Sequence, residues 1–209
     1  MKCIYSRSLV VVAGLMLVVG CQPPGKDIQT PWSTLNTSNT PDKPKTPPPK
    51  GNDWTPSAPA RAWKYIVIHH SALDHGNAAA INTAHLARGW EGIGYDFVID
   101  NGNGGTDGQV EVGYRWTQQK VGAHTGKTPG NAYNEYGIGI CLIGDFTQTQ
   151  PSAKQLAALD SLVAYLCKTY RISPQNVIGH RDAPNASTEC PGDSLYSYIY
   201  KTLRPKLSR

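Results

Sequence analysis

A histidine and a cysteine lie close together near the carboxyl end of the chain, in the stretch GHRDAPNASTECPG at 179–192. Nine residues separate His180 from Cys190, and Pro184, Asn185 and Pro191 can fold this loop back on itself. Imidazole and thiolate are ligands that zinc prefers, and a catalytic zinc site combines three protein ligands with one open position. The chain has neither a C-x2-C nor an H-E-x-x-H motif, so two common zinc signatures are missing. The pair therefore indicates two ligands of a site whose third ligand comes from elsewhere.

The adjacent histidines His69 and His70 are the natural source of that third ligand. They end the apolar, β-branched run at 63–70, which is typical of a buried strand. Successive side chains of a strand point to opposite faces, so only one of the two can join the same metal. Spacing alone leaves an alternative open, in which His180 is a hydrogen-bonded loop histidine and Cys190 is a small buried hydrophobe.

Cysteine usage adds a second reason to consider a metal. Three cysteines, an odd number, fall between residues 61 and 209: Cys141, Cys167 and Cys190. In an oxidising compartment an unpaired thiol needs an explanation, which metal binding would supply. A disulfide between Cys141 and Cys167 stays open as a possibility.

The remaining elements must bring these residues together. Strands are predicted at 63–70, 94–100, 109–113 and 137–143, and residues 173–178 lead into a short strand that ends at Gly179-His180. Helices are predicted at 77–88, 152–170 and 193–203. Strands and helices alternate irregularly, which predicts a mixed α/β fold. We expect a central, mostly buried β-sheet flanked by helices, with the zinc site in a groove on one side.

The first 60 residues differ in character from the rest. Residues 1–20 join a basic start to an apolar run at 9–19 that is too short to span a bilayer, a pattern typical of a secretory signal. The signal ends in small residues followed at once by Cys21, which resembles a bacterial lipobox; an ordinary signal with an incidental Cys21 is the alternative. Residues 21–60 hold ten of the sixteen prolines and read as an extended tether, and 61–209 suits one domain. We therefore expect a lipid-anchored protein, with Cys21 lipidated, in the periplasm or at the cell surface.

The charge of the chain bears on its partners. The formal net charge is +5, and loss of Lys2 and Arg7 with the signal would leave +3. This mild bias suits anionic cell-wall material. No Lys/Arg cluster is interleaved with aromatic residues, so we expect no nucleic-acid partner. We expect the protein to be a monomer.

Six motifs occur in order along the predicted domain. They are YIVIHHSA at 65–72, HLARGWEGIGYDFVI at 85–99, GAHT at 122–125, GIGICLIG at 137–144, GHRD at 179–182 and ECPG at 189–192. In this order they resemble the type 2 N-acetylmuramoyl-L-alanine amidases, the family that includes phage lysozyme-type amidases and the peptidoglycan recognition proteins. The resemblance covers nearly all of residues 63–203. It implies a zinc enzyme that hydrolyses the amide between the lactyl group of N-acetylmuramic acid and L-alanine, in peptidoglycan or muropeptides, during cell-wall turnover or recycling.

Matched position by position, the resemblance also implies roles for single residues. The zinc ligands fall on His69, His180 and Cys190. Tyr95 and Thr188 fall on positions next to the metal. Tyr95 would orient the attacking water or donate a hydrogen bond to the developing oxyanion, and Thr188 would add a second donor to that oxygen. These two residues are the catalytic candidates.

Further residues match the lining of the substrate groove in relatives. His124 is assigned to substrate binding on this ground, and so are Arg115 and Trp116, although the stretch GYRW at 113–116 is rearranged against the usual pattern. His70 should face away from the metal to pack or to donate and accept hydrogen bonds. Asp182 is a weaker candidate for an acceptor that holds a zinc histidine or Arg181.

A peptidoglycan-binding module without catalysis is the main alternative to an enzyme. Non-catalytic relatives typically lose the ligand cysteine, whereas Cys190 is present, and this favours the enzyme. Some cytoplasmic relatives carry a glutamate as general base where this chain has Cys141, so the polar role would pass to Tyr95.

Overall fold

The computed structural model describes residues 54–126 and 128–208, all within one compact unit. Five strands in these ranges form one sheet in the order β3-β2-β4-β1-β5: β1 Tyr65–His70, β2 Phe97–Ile99, β3 Val110–Val112, β4 Gly137–Leu142 and β5 Val177–Gly179. β1 runs parallel to β4 and β5, and β2 runs parallel to β4, while β3 is antiparallel to β2. The predicted mixed sheet is confirmed.

Helices flank the sheet. In the described ranges they are α1 Ala78–Ala87, α2 Tyr114–Thr117, α3 Ala132–Glu135, α4 Ala153–Tyr170, α5 Asp193–Tyr198 and α6 Arg204–Leu207, with a π-helical turn at Ile199–Leu203. Single 3₁₀ turns lie at Pro129–Asn131, Pro174–Asn176 and His180–Asp182. The predicted helices at 77–88 and 152–170 are confirmed. α2 and α3 were not predicted, because a helix of one turn is too short to show a periodic apolar pattern.

One face of the sheet, here called the helix face, carries the main core. Alternate residues of the strands pack there against α4 and the segment from α5 onward, and α4 contributes Leu159, Leu162, Val163 and Leu166. These four side chains have no exposed surface. Burying each leucine fully is worth about 1.5–3 kcal/mol.

The start of α4 is fixed by a capping box. The Ser152 hydroxyl accepts a hydrogen bond from the Gln155 N–H, and the Gln155 side chain accepts one from the Ser152 N–H. The Gln155 amide also donates to the carbonyls of Ile99 and Ile143, at 3.2 and 2.8 Å. A buried glutamine thus ties α4 to the ends of β2 and β4.

The packed domain begins before residue 61. Trp54, within the predicted tether, is buried in the main core and meets the Tyr165 ring edge-on at 5.3 Å between centroids. The predicted signal 1–20, most of the tether and the lipidation candidate Cys21 lie outside the described residues. No helix in 54–126 or 128–208 is long and apolar enough to cross a membrane.

The opposite face of the sheet, here called the site face, carries the alternate residues. Parallel registers put His69 of β1 beside Cys141 of β4, and Cys141 beside Val98 of β2. Val98 and Cys141 are fully buried but do not belong to the main core. The first predicted zinc ligand therefore lies on the face away from α4.

Candidate metal centre

Sheet topology brings the predicted ligands together. His69 lies near the end of β1, and His180 follows directly after β5. Since β1 and β5 are parallel neighbours, their carboxyl ends meet at the same edge of the sheet.

The loop after His180 returns to deliver Cys190. The Arg181 N–H donates to the Cys190 carbonyl at 2.9 Å, which closes the loop. Pro191 then packs on Gly179, where an added Cβ would lie 2.8 Å from the proline Cδ. The folding back that the prolines suggested is present.

Two imidazoles and one thiol converge at this edge. One ligand atom from each of His69, His180 and Cys190 lies within 4.8 Å of the others. His69 Nδ1 is 3.7 Å from Cys190 Sγ, and the two histidine rings are 4.6 Å apart between centroids. A donor set of two nitrogens and one sulfur suits zinc, which binds nitrogen at about 2.0–2.1 Å and sulfur at about 2.3 Å. The arrangement can bind a metal ion.

The electrostatics of the cluster also fit a cation. Burial, with His124 and His180 nearby, lowers the pKa of His69, and burial also lowers the pKa of His180, so both imidazoles are held in the neutral form that binds metals. Burial raises the pKa of the Cys190 thiol to about 12. A buried thiolate needs a positive charge beside it, which a bound metal would supply.

Tyr95 and Thr188 lie next to these ligands. The Tyr95 ring is 5.1 Å from the His69 ring between centroids and is partly exposed. Burial, with the Cys141 and Cys190 sulfurs nearby, raises the pKa of the Tyr95 hydroxyl well above its usual range. Thr188 is exposed, and its hydroxyl accepts a hydrogen bond from the Cys190 N–H at 3.1 Å.

Comparison with known families decides what this arrangement belongs to. The model of the family Amidase_2, described as N-acetylmuramoyl-L-alanine amidase, matches residues 59–193. The chain belongs to this amidase family. The matched residues include all three members of the metal-binding group.

Relatives in the family include both amidases and peptidoglycan recognition proteins. The chain is 33% identical over 148 residues to an N-acetylmuramoyl-L-alanine amidase of Sus scrofa, which covers 65% of this chain and 22% of that protein. It is 33% identical over 146 residues to peptidoglycan-recognition protein LB of Drosophila melanogaster, covering 65% of this chain and 57% of that protein. The chain thus spans less than two thirds of the length of these two relatives.

Solved structures share the fold. The amidase LysC from Clostridium intestinale matches with a TM-score of 0.58 and 28% identity, over 74% of this chain and 93% of that one. Drosophila PGRP-LB matches with a TM-score of 0.55 and 30% identity, over 73% of this chain and 91% of that one. The mixed α/β fold expected from the sequence is therefore also that of the family.

The His70 side chain points away from the metal-binding group formed by His69, His180 and Cys190. Its Nδ1 accepts a hydrogen bond from the Phe146 N–H at 3.2 Å and lies 3.8 Å from the Asp145 carboxylate. Its own backbone N–H donates to Cys190 Sγ at 3.4 Å. Strand alternation separated the two histidines as predicted.

His124 lies inside the protein rather than on a groove wall. It is 7% exposed, and both ring nitrogens are within hydrogen-bonding distance of protein atoms: His69 Nε2 and the Gly137 carbonyl. The ring fills the space left by Gly122 and Gly139, where an added Cβ would come within 2.6 and 2.4 Å of it. The predicted substrate contact is therefore replaced by contacts within the protein. The glycines in GIGIC were the available sequence signal for this packing.

Asn134 also belongs to this arrangement, and sequence reasoning missed it. Its side-chain oxygen accepts hydrogen bonds from the N–H groups of His124 and Thr125, both at 2.9 Å, and its amide donates to the Thr125 carbonyl. No motif spacing identifies Asn134, because its role depends on α3 lying under the loop at 122–125.

Arg115 and Trp116 do not contact a groove either. The Arg115 guanidinium donates to the carbonyls of Ile93 and Val121 and is 5% exposed. Trp116 has no exposed surface, and its indole N–H donates to the Trp54 carbonyl at 2.7 Å. α2 turns both side chains into the interior, where their contacts are with the protein itself.

Asp182 is not an acceptor for a zinc histidine or Arg181. Its carboxylate accepts hydrogen bonds from the Gly179 N–H and from the hydroxyls of Tyr196 and Tyr200, at 2.9, 2.9 and 2.8 Å. Arg181 instead pairs with Asp193 at 2.7 Å. Asp182 therefore ties the turn that contains His180 to the C-terminal helices.

Cys141 and Cys167 are free thiols in the described part of the chain. Burial raises the pKa of Cys141 well above its usual range, with the Cys190 sulfur adding to the shift, and raises that of Cys167 to about 11. Both thiols are therefore held protonated. This leaves the possible disulfide between them unformed in this structure.

Proposed function

We propose that the protein is a zinc-dependent amidase that cleaves the bond between the lactyl group of N-acetylmuramic acid and L-alanine, in peptidoglycan or in muropeptides. The observation that carries the proposal is the convergence of His69, His180 and Cys190 within 4.8 Å, with Tyr95 against His69. Membership of the amidase family supports it. A relative, a mutant of Drosophila PGRP-LB with a TM-score of 0.52, was solved in complex with tracheal cytotoxin.

His69, His180 and Cys190 would hold the zinc ion. When bound, zinc would supply a Lewis acid for the substrate carbonyl and lower the pKa of water to about 7. His69 and Cys190 are buried, whereas His180 is partly exposed. A substrate would therefore approach the site from the side of His180.

Tyr95 and Thr188 would stabilise negative charge on the substrate oxygen. Burial raises the pKa of Tyr95, so its phenol keeps a proton to donate at neutral pH. The Thr188 oxygen accepts from the Cys190 N–H, which leaves the hydroxyl proton free to donate to the substrate. Tyr95 is also our candidate for relaying the proton that the attacking water loses to the departing L-alanine amine.

The site of action proposed is the periplasm or cell surface. The signal-like residues 1–20 and Cys21 support a lipid anchor, and the proline-rich residues that follow support a tether to the membrane. In this arrangement the domain would work on cell wall within reach of the membrane, as part of turnover or recycling.

Release of stem peptide from purified peptidoglycan tests the proposal. Zinc-loaded protein should release peptide with a free amino-terminal L-alanine, chelation should stop the release, and added zinc should restore it. Cys190→Ser should lose more than about 100-fold of the zinc affinity, since even residues behind the ligands contribute about 10–100-fold. Cys167→Ser is the matched control, a thiol on α4 outside the metal-binding group, and should keep both zinc and activity.

Two results would contradict the proposal. Full zinc binding and activity in Cys190→Ser would remove the ligand assignment. Zinc-loaded protein that binds peptidoglycan but releases no peptide would instead identify a binding module.

A further inference from the structure

We infer that His124 is a positioning residue for the metal centre, which fixes the tautomer of His69 so that the lone pair of its Nδ1 faces the metal. The inference rests on the proposed zinc site and adds a residue to it that touches neither metal nor substrate. It replaces the substrate contact that the sequence predicts for His124.

The direction of the hydrogen bonds follows from the last acceptor in the chain. His124 Nε2 lies 3.2 Å from the Gly137 carbonyl, and a carbonyl only accepts, so this nitrogen carries the proton. A neutral imidazole then has a bare Nδ1, which lies 3.1 Å from His69 Nε2 and must accept from it. His69 therefore carries its proton on Nε2.

The consequence appears at the other nitrogen of His69. With the proton on Nε2, a neutral His69 has its lone pair on Nδ1, the atom that lies 3.7 Å from Cys190 Sγ. Ligand histidines commonly donate their second ring N–H to a carbonyl or carboxylate, which fixes ring orientation and tautomer. Here His124 is the acceptor for the second ring N–H of His69, and its own ring N–H donates to the Gly137 carbonyl of β4.

The position of the His124 ring is built into the fold. Any side chain at Gly122 or Gly139 would overlap it, since an added Cβ would lie 2.6 or 2.4 Å from its Cδ2. Asn134 holds the backbone N–H groups on both sides of the bend at 124–125. The ring is buried, so it contacts His69 and not solvent.

The tautomers can be read directly in the wild-type protein. Nitrogen-15 NMR of the histidine rings, in zinc-free and zinc-loaded full-length protein, should show both His69 and His124 with the proton on Nε2. Zinc should shift the Nδ1 resonance of His69 and leave the tautomer of His124 unchanged. A proton on Nδ1 of either ring in zinc-free protein would overturn the inference.

A pair of substitutions tests the same hydrogen bond by zinc affinity. The Oδ1 atom of His124→Asn can take the place of Nδ1 and accept from His69, whereas His124→Gln moves its amide toward the place of Nε2. His124→Asn should stay within about threefold of wild-type zinc affinity, and His124→Gln should weaken it by about 10–100-fold, measured by competition with a chromogenic chelator. Equal losses in the two variants, or no loss in either, would overturn the inference.

The control is His75→Asn, which changes a partly exposed histidine paired with Asp74 and should leave zinc affinity unchanged. Wild-type protein that binds no zinc at these residues would overturn the proposed function itself. Zinc binding with the other tautomer would overturn only the role of His124. The two failures are therefore distinguishable.

Discussion

The two faces of the central sheet are filled by different kinds of side chain. On the helix face, strand isoleucines and Phe97 meet the leucines of α4, and the interior is almost wholly apolar. On the site face the same strands carry His69 and Cys141. The His124 ring packs against Gly139 of β4, where any side chain would overlap it. Apolar packing stabilises the fold, whereas buried polar groups cost free energy unless they are paired. The comparison indicates that stability is concentrated on one face and chemistry on the other.

His69 and His70 mark the division between the faces. They are consecutive, yet His69 belongs to the metal-binding group while His70 accepts a hydrogen bond from the Phe146 N–H. A shift of one residue in the β1 register would exchange their faces. Substitutions on the two faces should therefore have separable effects.

The largest effect is expected from Leu162→Ala on the helix face. This fully buried leucine on α4 belongs to the main core, so its truncation should lower the free energy of unfolding by about 2–5 kcal/mol. Denaturant unfolding measures the loss, and zinc content at low temperature should remain one ion per folded molecule. Loss of zinc without loss of stability would contradict the division between the faces.

Tyr95→Phe on the site face should lower activity and leave stability nearly unchanged, the reverse of what is expected for Leu162→Ala. Removing one donor to a developing oxyanion costs about 10²–10³-fold in kcat, while the ring can keep its packing on His69. Peptide-release kinetics and thermal melting check this together. A variant with full kcat, or one that melts far below wild type, would remove Tyr95 from the catalytic role.

The smallest effect is expected on the pH dependence of stability, from Asp100, a buried carboxyl on the site face. Both oxygens of Asp100 are buried without a hydrogen-bond donor, and burial, together with the neighbouring Glu111 carboxyl, raises the pKa of Asp100 to about 8. Glu111 in turn accepts from the Ala78 N–H at the start of α1, at 2.6 Å. Asp100 therefore keeps its proton at neutral pH.

The stability contributed by Asp100 depends on pH. Between the unfolded pKa near 3.8 and the folded pKa of about 8, the folded state binds the extra proton, so the stability contributed by Asp100 is present at low pH and is lost as pH rises. Asp100→Asn removes this loss, so its melting temperature relative to wild type should rise as the pH is raised from 5 to 8. Melting curves across that range check it. A constant difference would show that Asp100 is ionised in the folded protein.

Local patterns predicted the elements that position the site. The β-branched run at 63–70 contains β1, and the spacing of leucines after Ser152 identifies α4 with its cap. His180 and Cys190 stood out by spacing, but only similarity of six ordered motifs to a known family selected His69 and Tyr95 to complete the site. Their convergence depends on parallel pairing of strands far apart in sequence, which no local pattern encodes.

The contacts of Trp116 and His124, which the sequence did not predict, likewise depend on segments far apart in the chain. Trp116 lies on a helix of one turn, and its burial depends on Trp54, from a segment that the sequence assigned to the tether. The contact between His124 and His69 depends on β1 and β4 being neighbours and on a glycine, Gly139 of β4, leaving room for the His124 ring. Contacts that combine distant segments are where prediction from this sequence failed.

Hydrolysis of one defined muropeptide tests the central claim most directly. Zinc-loaded protein would be incubated with N-acetylmuramic acid carrying an L-alanine-linked stem peptide, and the products identified by mass spectrometry. Two products are expected: the intact sugar with a free lactyl carboxylate and the peptide with a free amino-terminal L-alanine, together heavier than the substrate by one water. Unchanged substrate, or cleavage at any other bond, would contradict it.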